Sequence, residues 1–357
     1  TLKLFALILC TCIFFIFCNP FGYKTFVYVY NHTQMNMLKE IIEWYPSFSG
    51  KLESSGILLS YKVLIALGLL SLYYSIKKKN ILMASLFLVF APYSMQAIRF
   101  IADYAVVTFF GTSLGMNYML EKSSLIIQKT IHSLSVSVLL CLILLYSIFT
   151  ISNNSLYEKI NYNRTFGFGV DEKFFSLNLI KFLKQNEIYG RPFNNLLLGG
   201  LMSWEIPQQK IFIDSRNISD SLWDNYIQIF NMQKGFENKL KEYNIDYIAI
   251  NTNEFLSSLE TMRQTTVAYC SIYSEEWKLV YWDDISFLFV KNIPKYQNVI
   301  SKYEYKTLTP FSFIYERGKF DSLCNISPDV IKKEISRKLT EEPEGRIINY
   351  IVNDIHQ

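Results

Sequence analysis

The distribution of charge along the chain is the feature that most limits its fold. Residues 1–152 contain 11 of the 35 lysines and arginines but only 5 of the 31 aspartates and glutamates. These few charges separate long apolar runs, whereas residues 153–357 carry an ordinary density of both signs. Long uncharged apolar runs are typical of helices in lipid, and the ordinary charge density of residues 153–357 is typical of a domain in water. The pattern excludes a disordered protein and a single uniform soluble domain.

The first half is predicted to be a membrane bundle of about five spans. A helix needs about 20 apolar residues to cross the hydrocarbon core of a bilayer. The predicted spans are residues 4–18, 56–76, 80–98, 104–120 and 130–157. Lys77, Lys78 and Lys79 follow the second span and indicate its cytoplasmic end, because basic residues concentrate in cytoplasmic loops. Loop 19–55 and everything after residue 152 are then expected outside the cytoplasm.

The second half is predicted to be a soluble α/β domain over residues 153–295, followed by a linker and a pair of C-terminal helices over 296–357. The segments KIFID (210–214) and IDYIAIN (245–251) resemble two strands of a parallel unit with a helix between them. WKLVYWDDISFLFVK (277–291) predicts two strands joined by a turn at its aspartates.

Arg99 and Asp103 are four residues apart, so they share one face of a helix at the end of an apolar run. One interpretation is a substrate-binding site at the outer face of the membrane. The other is an interfacial ion pair that stabilises the helix turn.

Loop 19–55 contains MLKEIIEWYPSF, which predicts a short amphipathic helix that ends before Pro46. Glu40 and Glu43 are three residues apart, and paired carboxylates at a membrane surface suit a catalytic base or a cation site. Glutamates in this position more often form a solvated helix face. Trp44 suits the headgroup layer, where it is a candidate substrate contact.

Asp214 and Arg216 are the candidate substrate-binding residues of the second half. Ligands of open α/β sheets bind beyond the carboxyl ends of strands, and Asp214 ends the predicted strand KIFID. The alternative is that Asp214 holds Arg216 and closes a turn.

Several function classes are excluded or disfavoured by composition. No stripe of basic residues alternates with the aromatic residues, so nucleic acid is not an expected partner. The second half contains one histidine, His356, next to the chain end, which argues against a serine–histidine–aspartate triad there. Gly199 and Gly200 lack the spacing of a nucleotide-binding loop.

The segments NPFGY, EIIEWYPS, FGFGVDEKFFSLNLIKFL and GRPFNNLLLGGLMSWEIPQQKIFIDSRN, with Arg99 in the apolar block, resemble bacterial GT-C-like glycosyltransferases. The resemblance covers most of residues 19–295. It implies a bundle of many spans with a soluble domain outside, and a polyprenyl-phosphate sugar as donor. It also implies an acidic residue in the first outer loop, which acts on the acceptor or holds a divalent cation. Because Thr1 leads directly into an apolar run, we expect that loop upstream of this sequence.

The resemblance therefore implies a multi-pass protein of the bacterial inner membrane that transfers a sugar at the outer face, with the C-terminal domain outside the cytoplasm. Glu40 and Glu43 are the expected catalytic candidates within this sequence. The alternative function is non-catalytic, with the outer domain binding a partner or an envelope polymer. The lipid bilayer is a partner in both cases, and the cofactor is left open apart from the divalent cation.

Overall fold

The computed structural model describes residues 2–39, 41–49, 56–131, 134–159, 165–172, 174–216, 219–252 and 265–355. Its contacts divide the chain into two units, Thr1–Leu145 and Tyr146–Gln357. We call these the N-terminal unit and the C-terminal unit.

Described residues of the N-terminal unit form helices and short connections. The α-helices that begin in it are α1 (Leu2–Phe17), α2 (Lys24–Thr33), α3 (Gly56–Lys77), α4 (Ile81–Gln96), α5 (Ile101–Glu121), α6 (Leu125–Ile131) and α7 (Leu134–Ser152). Short 3-10 turns cover Asn36–Lys39, Ile42–Trp44 and Ile98–Phe100. The predicted amphipathic helix of loop 19–55 is thus replaced by two 3-10 turns in its described part.

The predicted bundle of about five spans is wrong. Among the described residues, two stretches are long and apolar enough to cross a membrane: Leu58–Lys77, with a mean hydropathy of 1.5, and Leu134–Ser152, with 2.5. Helices α1 and α4 have 16 residues each. At 1.5 Å per residue they reach about 24 Å, less than the roughly 30 Å hydrocarbon core.

Helix α5 shows why the absence of charge misled the prediction. It has 21 residues, which is long enough to span a bilayer. Its sequence, IADYAVVTFFGTSLGMNYMLE, contains many small and polar residues, so its hydropathy is too low for it to count as a span. The prediction of a span at residues 104–120 therefore treated the absence of charge as evidence of an apolar segment.

Helices α3, α4 and α5 bury many small and polar residues around an aromatic centre, and they expose many large apolar residues. Tyr61 and Tyr104 are buried with Phe87 and Ala91 in the centre of this packing. Buried polar residues on these helices include Ser71, Ser75, Ser94, Thr108 and Thr112. Exposed apolar residues on the same helices include Leu69, Leu88, Val106, Phe109 and Phe110. Soluble bundles have the opposite arrangement.

Glycines let α3 and α5 approach closely. Gly111 and Gly115 form a G-x-x-x-G spacing on α5, a motif of tightly packed helices in lipid. A Cβ on Gly115 would lie 2.9 Å from the carbonyl oxygen of Leu70 on α3. This spacing was readable in the sequence but played no part in the sequence prediction.

The C-terminal unit contains a small mixed sheet surrounded by short helices. Its strands are β1 (Pro192–Asn194), β2 (Tyr247–Asn251), β3 (Trp277–Trp282) and β4 (Ser286–Lys291). The sheet order is β1-β2-β4-β3, with β1 parallel to β2 and the other pairs antiparallel. The helices are α8 (Ser155–Lys159), α9 (Leu177–Gln185), α10 (Leu196–Glu205), α11 (Asp220–Phe230), α12 (Phe236–Glu242), α13 (Thr266–Ile272), α14 (Gln297–Tyr303), α15 (Pro310–Tyr315), α16 (Arg317–Ile326), α17 (Pro328–Glu341) and α18 (Arg346–Ile355).

The parallel pair exists, but its first strand is not the predicted one. β1 pairs with β2 through Phe193 and Ile248, whereas KIFID (210–214) has no regular structure. The side chain of Asn194 replaces a strand partner for that segment. Its Oδ1 accepts the Phe212 N–H at 2.8 Å, and its Nδ2 donates to the Ile213 carbonyl at 2.7 Å. The short apolar run NLLLGG (195–200) has the composition of a strand, but it lies mostly in α10.

The predicted hairpin of residues 277–291 is confirmed by the antiparallel pairing of β3 with β4. Its two aspartates have different structural tasks. Asp283 accepts hydrogen bonds from the Tyr281 hydroxyl and the Ile285 amide within the hairpin. Asp284 accepts the N–H groups of Arg346 and Ile347, and so fixes the start of α18.

Candidate functional site

An arginine stacked on aromatic rings is the most distinctive polar feature of the N-terminal unit. The Arg99 Cζ lies 4.7 Å from the centre of the Trp44 ring and 6.0 Å from that of Phe100. Phe100 in turn stacks on Tyr93 with their ring centres 4.1 Å apart. We call Trp44, Tyr93 and Phe100 the aromatic shelf. Such cation–π contacts hold a guanidinium in place without neutralising its charge.

Backbone contacts between two sequence-distant segments build the shelf. The Ile98 N–H donates to the Tyr45 carbonyl at 3.0 Å, and the Ser47 N–H donates to the Met95 carbonyl at 3.2 Å. The buried Ser47 hydroxyl also donates to the Ser94 carbonyl at 2.6 Å. These bonds fix the turn that carries Trp44 against the end of α4, just before Arg99.

Arg99 and Asp103 are not an ion pair. Both side chains are exposed, and Arg99 forms no salt bridge with any described residue. The guanidinium lies over Trp44 instead, which removes the proposed helix-turn ion pair as an explanation of this arginine. Its outward N–H groups remain available to an anion.

His32 lies beside the shelf and was not a candidate in the sequence prediction. Its ring is 6.1 Å from that of Trp44, and its Nδ1 is buried without a hydrogen-bond partner among the described residues. Tyr93 and Phe100 were also missed. An aromatic residue directly after Arg99 was a readable signal, but the contacts with Trp44 and His32 depend on the tertiary fold.

Of the two predicted carboxylates, Glu40 and Glu43, the structure describes only Glu43. Glu40 lies outside the described residues. Glu43 is exposed and lies in the 3-10 turn Ile42–Trp44, next in sequence to the shelf residue Trp44. Among the described residues, no group of three or more histidine, cysteine, aspartate or glutamate side chains could hold a metal ion.

Asp214 and Arg216 form a closed local pair in the C-terminal unit. Asp214 Oδ1 accepts the Arg216 backbone N–H at 2.7 Å. Its Oδ2 accepts Nε of the same arginine at 3.0 Å and Nη2 at 2.5 Å. The Asp214 side chain is 10% exposed and that of Arg216 is 66% exposed. A carboxylate with both oxygens occupied by one residue has the geometry of a turn closure.

The pair lies near the carboxyl ends of the two parallel strands. Asn194 at the end of β1 bonds the backbone just before Asp214, and Asn195 donates to the carbonyl of Asn251 at the end of β2 at 2.5 Å. Asn251 Oδ1 and the Thr252 hydroxyl are buried there without hydrogen-bond partners among the described residues. Ligands of α/β sheets bind at such strand ends, and this location holds two polar groups without partners among the described residues, Asn251 Oδ1 and the Thr252 hydroxyl. The Asp214–Arg216 pair lies near them with its carboxylate already occupied.

No protein-family model matches the chain, and no curated protein is significantly similar to it.

Proposed function

We propose that the chain is an integral membrane protein that binds the phosphate of a lipid-linked sugar at Arg99 and transfers that sugar to an acceptor. The observation that carries the proposal is the stacked Arg99 guanidinium, which has no carboxylate partner among the described residues. The resemblance to GT-C-like glycosyltransferases supports the class of donor.

The packing of α3, α4 and α5 supports a location in lipid. Many small and polar residues are buried between these helices beside a few aromatic rings, and many large apolar residues face outward, which suits an apolar solvent. Residues that favour membrane interfaces lie at both ends of the packed helices. Arg99 and Trp44 lie near the start of α5, and Lys122 contacts Tyr118 at 4.7 Å near its end.

The chemistry of Arg99 suits a phosphate. A guanidinium offers parallel N–H donors that match two oxygens of one phosphate, and the contact with Trp44 restricts the motion of the Arg99 side chain. A phosphate that links a polyprenyl chain to a sugar remains near the membrane surface while its tail stays in lipid. Arg99 would then bind the phosphate and stabilise the charge that grows on it as the sugar leaves.

Glu43 is the described carboxylate closest in sequence to the shelf, and we assign it the role of base. The acceptor hydroxyl attacks the anomeric carbon of the sugar and its proton passes to the Glu43 carboxylate. The bond between the anomeric carbon and the phosphate oxygen breaks, and the polyprenyl phosphate leaves with both electrons of that bond. Glu40 stays a candidate for the same role.

Binding of polyprenyl phosphate to the purified full chain tests the proposal, with uncharged polyprenol as the reference ligand. Arg99→Lys keeps the charge but loses the paired donors, so we expect roughly tenfold weaker binding of the phosphate lipid and unchanged expression. Arg317→Lys is the matched control. Arg317 also stacks on an aromatic ring, Phe313 at 4.4 Å, but Asp321 and Asp354 pair with it.

Two results would contradict the proposal. Equal affinity of the wild-type chain for polyprenol and polyprenyl phosphate would mean that no phosphate is recognised. An Arg99→Lys chain that binds as well as Arg317→Lys would mean that recognition occurs elsewhere. If binding holds, release of sugar from polyprenyl-phosphate sugar should fall in Glu43→Gln while phosphate-lipid binding persists.

The proposed orientation places the C-terminal unit outside the cytoplasm and the end of α3 inside. Cys270 is a poor probe of this, because it is 3% exposed and burial raises the pKa of its thiol. Single cysteines at the exposed positions Glu275 and Lys78, in a chain with the native cysteines replaced, are better probes. An impermeant thiol reagent should label position 275 in intact spheroplasts and leave position 78 unlabelled. Labelling of position 78 alone would reverse the orientation.

A further inference from the structure

A cleft in the C-terminal unit has an aromatic wall that the proposed function does not use. Its volume is about 260 Å³. The Phe182 ring on α9 lies 5.0 Å from Tyr281 on β3 and 5.0 Å from Tyr303 at the end of α14. Tyr281 is buried and its hydroxyl donates to Asp283 at 2.7 Å, whereas Phe182 and Tyr303 are half-buried. The wall is therefore fixed in place and partly open to solvent.

Polar side chains accompany this wall on the same face of α9. Asn178, Lys181, Phe182 and Gln185 follow the i, i+3, i+4, i+7 spacing of one helix face, and all four line the cleft. Asn178 and Gln185 are exposed. Each amide offers donors and an acceptor, so together they can bond neighbouring hydroxyl groups.

The charges that line the cleft cancel. Lys338 is 1% exposed, and its Nζ lies 2.7 Å from Glu342 Oε2 and also donates to the Trp282 carbonyl. Lys181 and Glu341 add one charge of each sign. Two cations and two carboxylates give no net attraction for an anion or a cation, so the cleft favours a neutral ligand.

We propose that this cleft binds a neutral pyranose unit of a glycan. A pyranose ring has C–H groups that pack on aromatic rings and a rim of hydroxyls that pair with amides and carboxylates, and the cleft holds both kinds of group. Its volume suits one or two sugar rings better than a protein segment. The site lies within the C-terminal unit and does not depend on Arg99 or on sugar transfer.

The test uses the full chain in a zwitterionic detergent, since sugar-headed detergents would compete for the cleft. The probes are maltose, cellobiose and N,N′-diacetylchitobiose, followed by saturation-transfer NMR and calorimetry, with glucuronic acid as the charged reference. We expect saturable millimolar binding of at least one disaccharide and weaker binding of glucuronic acid. Asn178→Ala should weaken the binding about fivefold, the effect of one lost hydrogen bond.

Phe182→Leu should weaken the binding further, and it removes the ring while keeping an apolar side chain. Asn178 is exposed, so its replacement keeps the test valid if Phe182→Leu unfolds the unit. Tyr273→Leu is the control, because Tyr273 is a 62% exposed aromatic residue that does not line the cleft. The proposal is overturned if none of the disaccharides saturates, or if Asn178→Ala binds as tightly as Tyr273→Leu. Arg99→Lys should leave sugar binding unchanged, which separates this proposal from the lipid-phosphate proposal.

Discussion

Replacement of Asp214 by asparagine separates a turn-closing role from a ligand-binding role. Asp214 accepts three hydrogen bonds from Arg216, one from its backbone N–H and two from its guanidinium. Asparagine keeps the shape and one acceptor oxygen, but it loses the charge and turns an amide N–H group towards the guanidinium. If the pair closes the turn after Ile213, the C-terminal unit should lose stability.

The size of the loss follows from exposure. The Arg216 side chain is 66% exposed, so solvent screens its ion pair with Asp214. The ion pair therefore contributes at most about 1 kcal/mol to the stability of the unit. The backbone N–H bond to the nearly buried carboxylate adds about 1 kcal/mol, the difference between a charged and a neutral acceptor. We expect a total loss of about 1–2 kcal/mol. For a unit of this size each kcal/mol lowers the melting temperature by about 2–4 °C, so the expected shift is about 2–8 °C.

The assay is thermal melting of the full chain followed by near-ultraviolet circular dichroism, since four of its five tryptophans lie in the C-terminal unit. Hydrogen exchange at the Arg216 amide gives a local readout and should accelerate in the variant. Asp224→Asn is the control, because Asp224 is an exposed aspartate on α11. A melting temperature within about 1 °C of the wild type, with unchanged Arg216 exchange, would refute the turn role and favour a ligand role.

Three further predictions concern packing, a buried carboxylate and alkaline pH. Gly115→Ala should destabilise the N-terminal unit by about 1–3 kcal/mol in chemical denaturation, because the new Cβ meets backbone, whereas Gly200→Ala, in open space on α10, should be neutral or slightly stabilising. Glu334→Gln should cost about 1.5–3 kcal/mol in the same measurement, because the buried carboxylate accepts three backbone N–H groups. The hydrogen bond of Tyr269 to Glu237 raises the pKa of the Tyr269 phenol to about 12. The phenol of the unfolded chain ionises near pH 10, so the free energy of unfolding should fall as pH rises from 10 to 12. The Tyr269→Phe chain should show a shallower fall over this range. Equal pH dependence of the free energy of unfolding in the two chains would contradict this prediction.

Local patterns in the sequence were sufficient for some elements. The β3–β4 hairpin follows from alternating apolar residues on either side of Asp283 and Asp284, because a tight turn brings neighbouring strands together without distant contacts. The helix that begins at Pro328 has a proline in its first turn, which favours a helix start, but the described residues 297–355 form five helices and not the predicted pair. The uneven charge along the chain likewise corresponds to two units of different composition.

Distant contacts decided the elements that were predicted wrongly. KIFID has the composition of a strand, but the Asn194 side chain bonds its backbone and no strand pairs with it. The count of membrane spans failed for a related reason. The uncharged run 104–120 within α5 carries small and polar residues that pack against α3, and composition alone does not distinguish a lipid-facing residue from a helix-facing one.

The candidate sites show the same division. The sequence by itself determined that Arg99, Trp44, Asp214 and Arg216 are charged or aromatic residues at the ends of apolar segments. The tertiary structure alone decided that Arg99 lies over Trp44 and not beside Asp103. Trp44 and Arg99 are separated by 54 intervening residues in the sequence, so no local pattern predicts their contact. A guanidinium contacts whichever partner the backbone brings within a few ångströms, and that partner is set by the bonds between the turn at Ser47 and the end of α4.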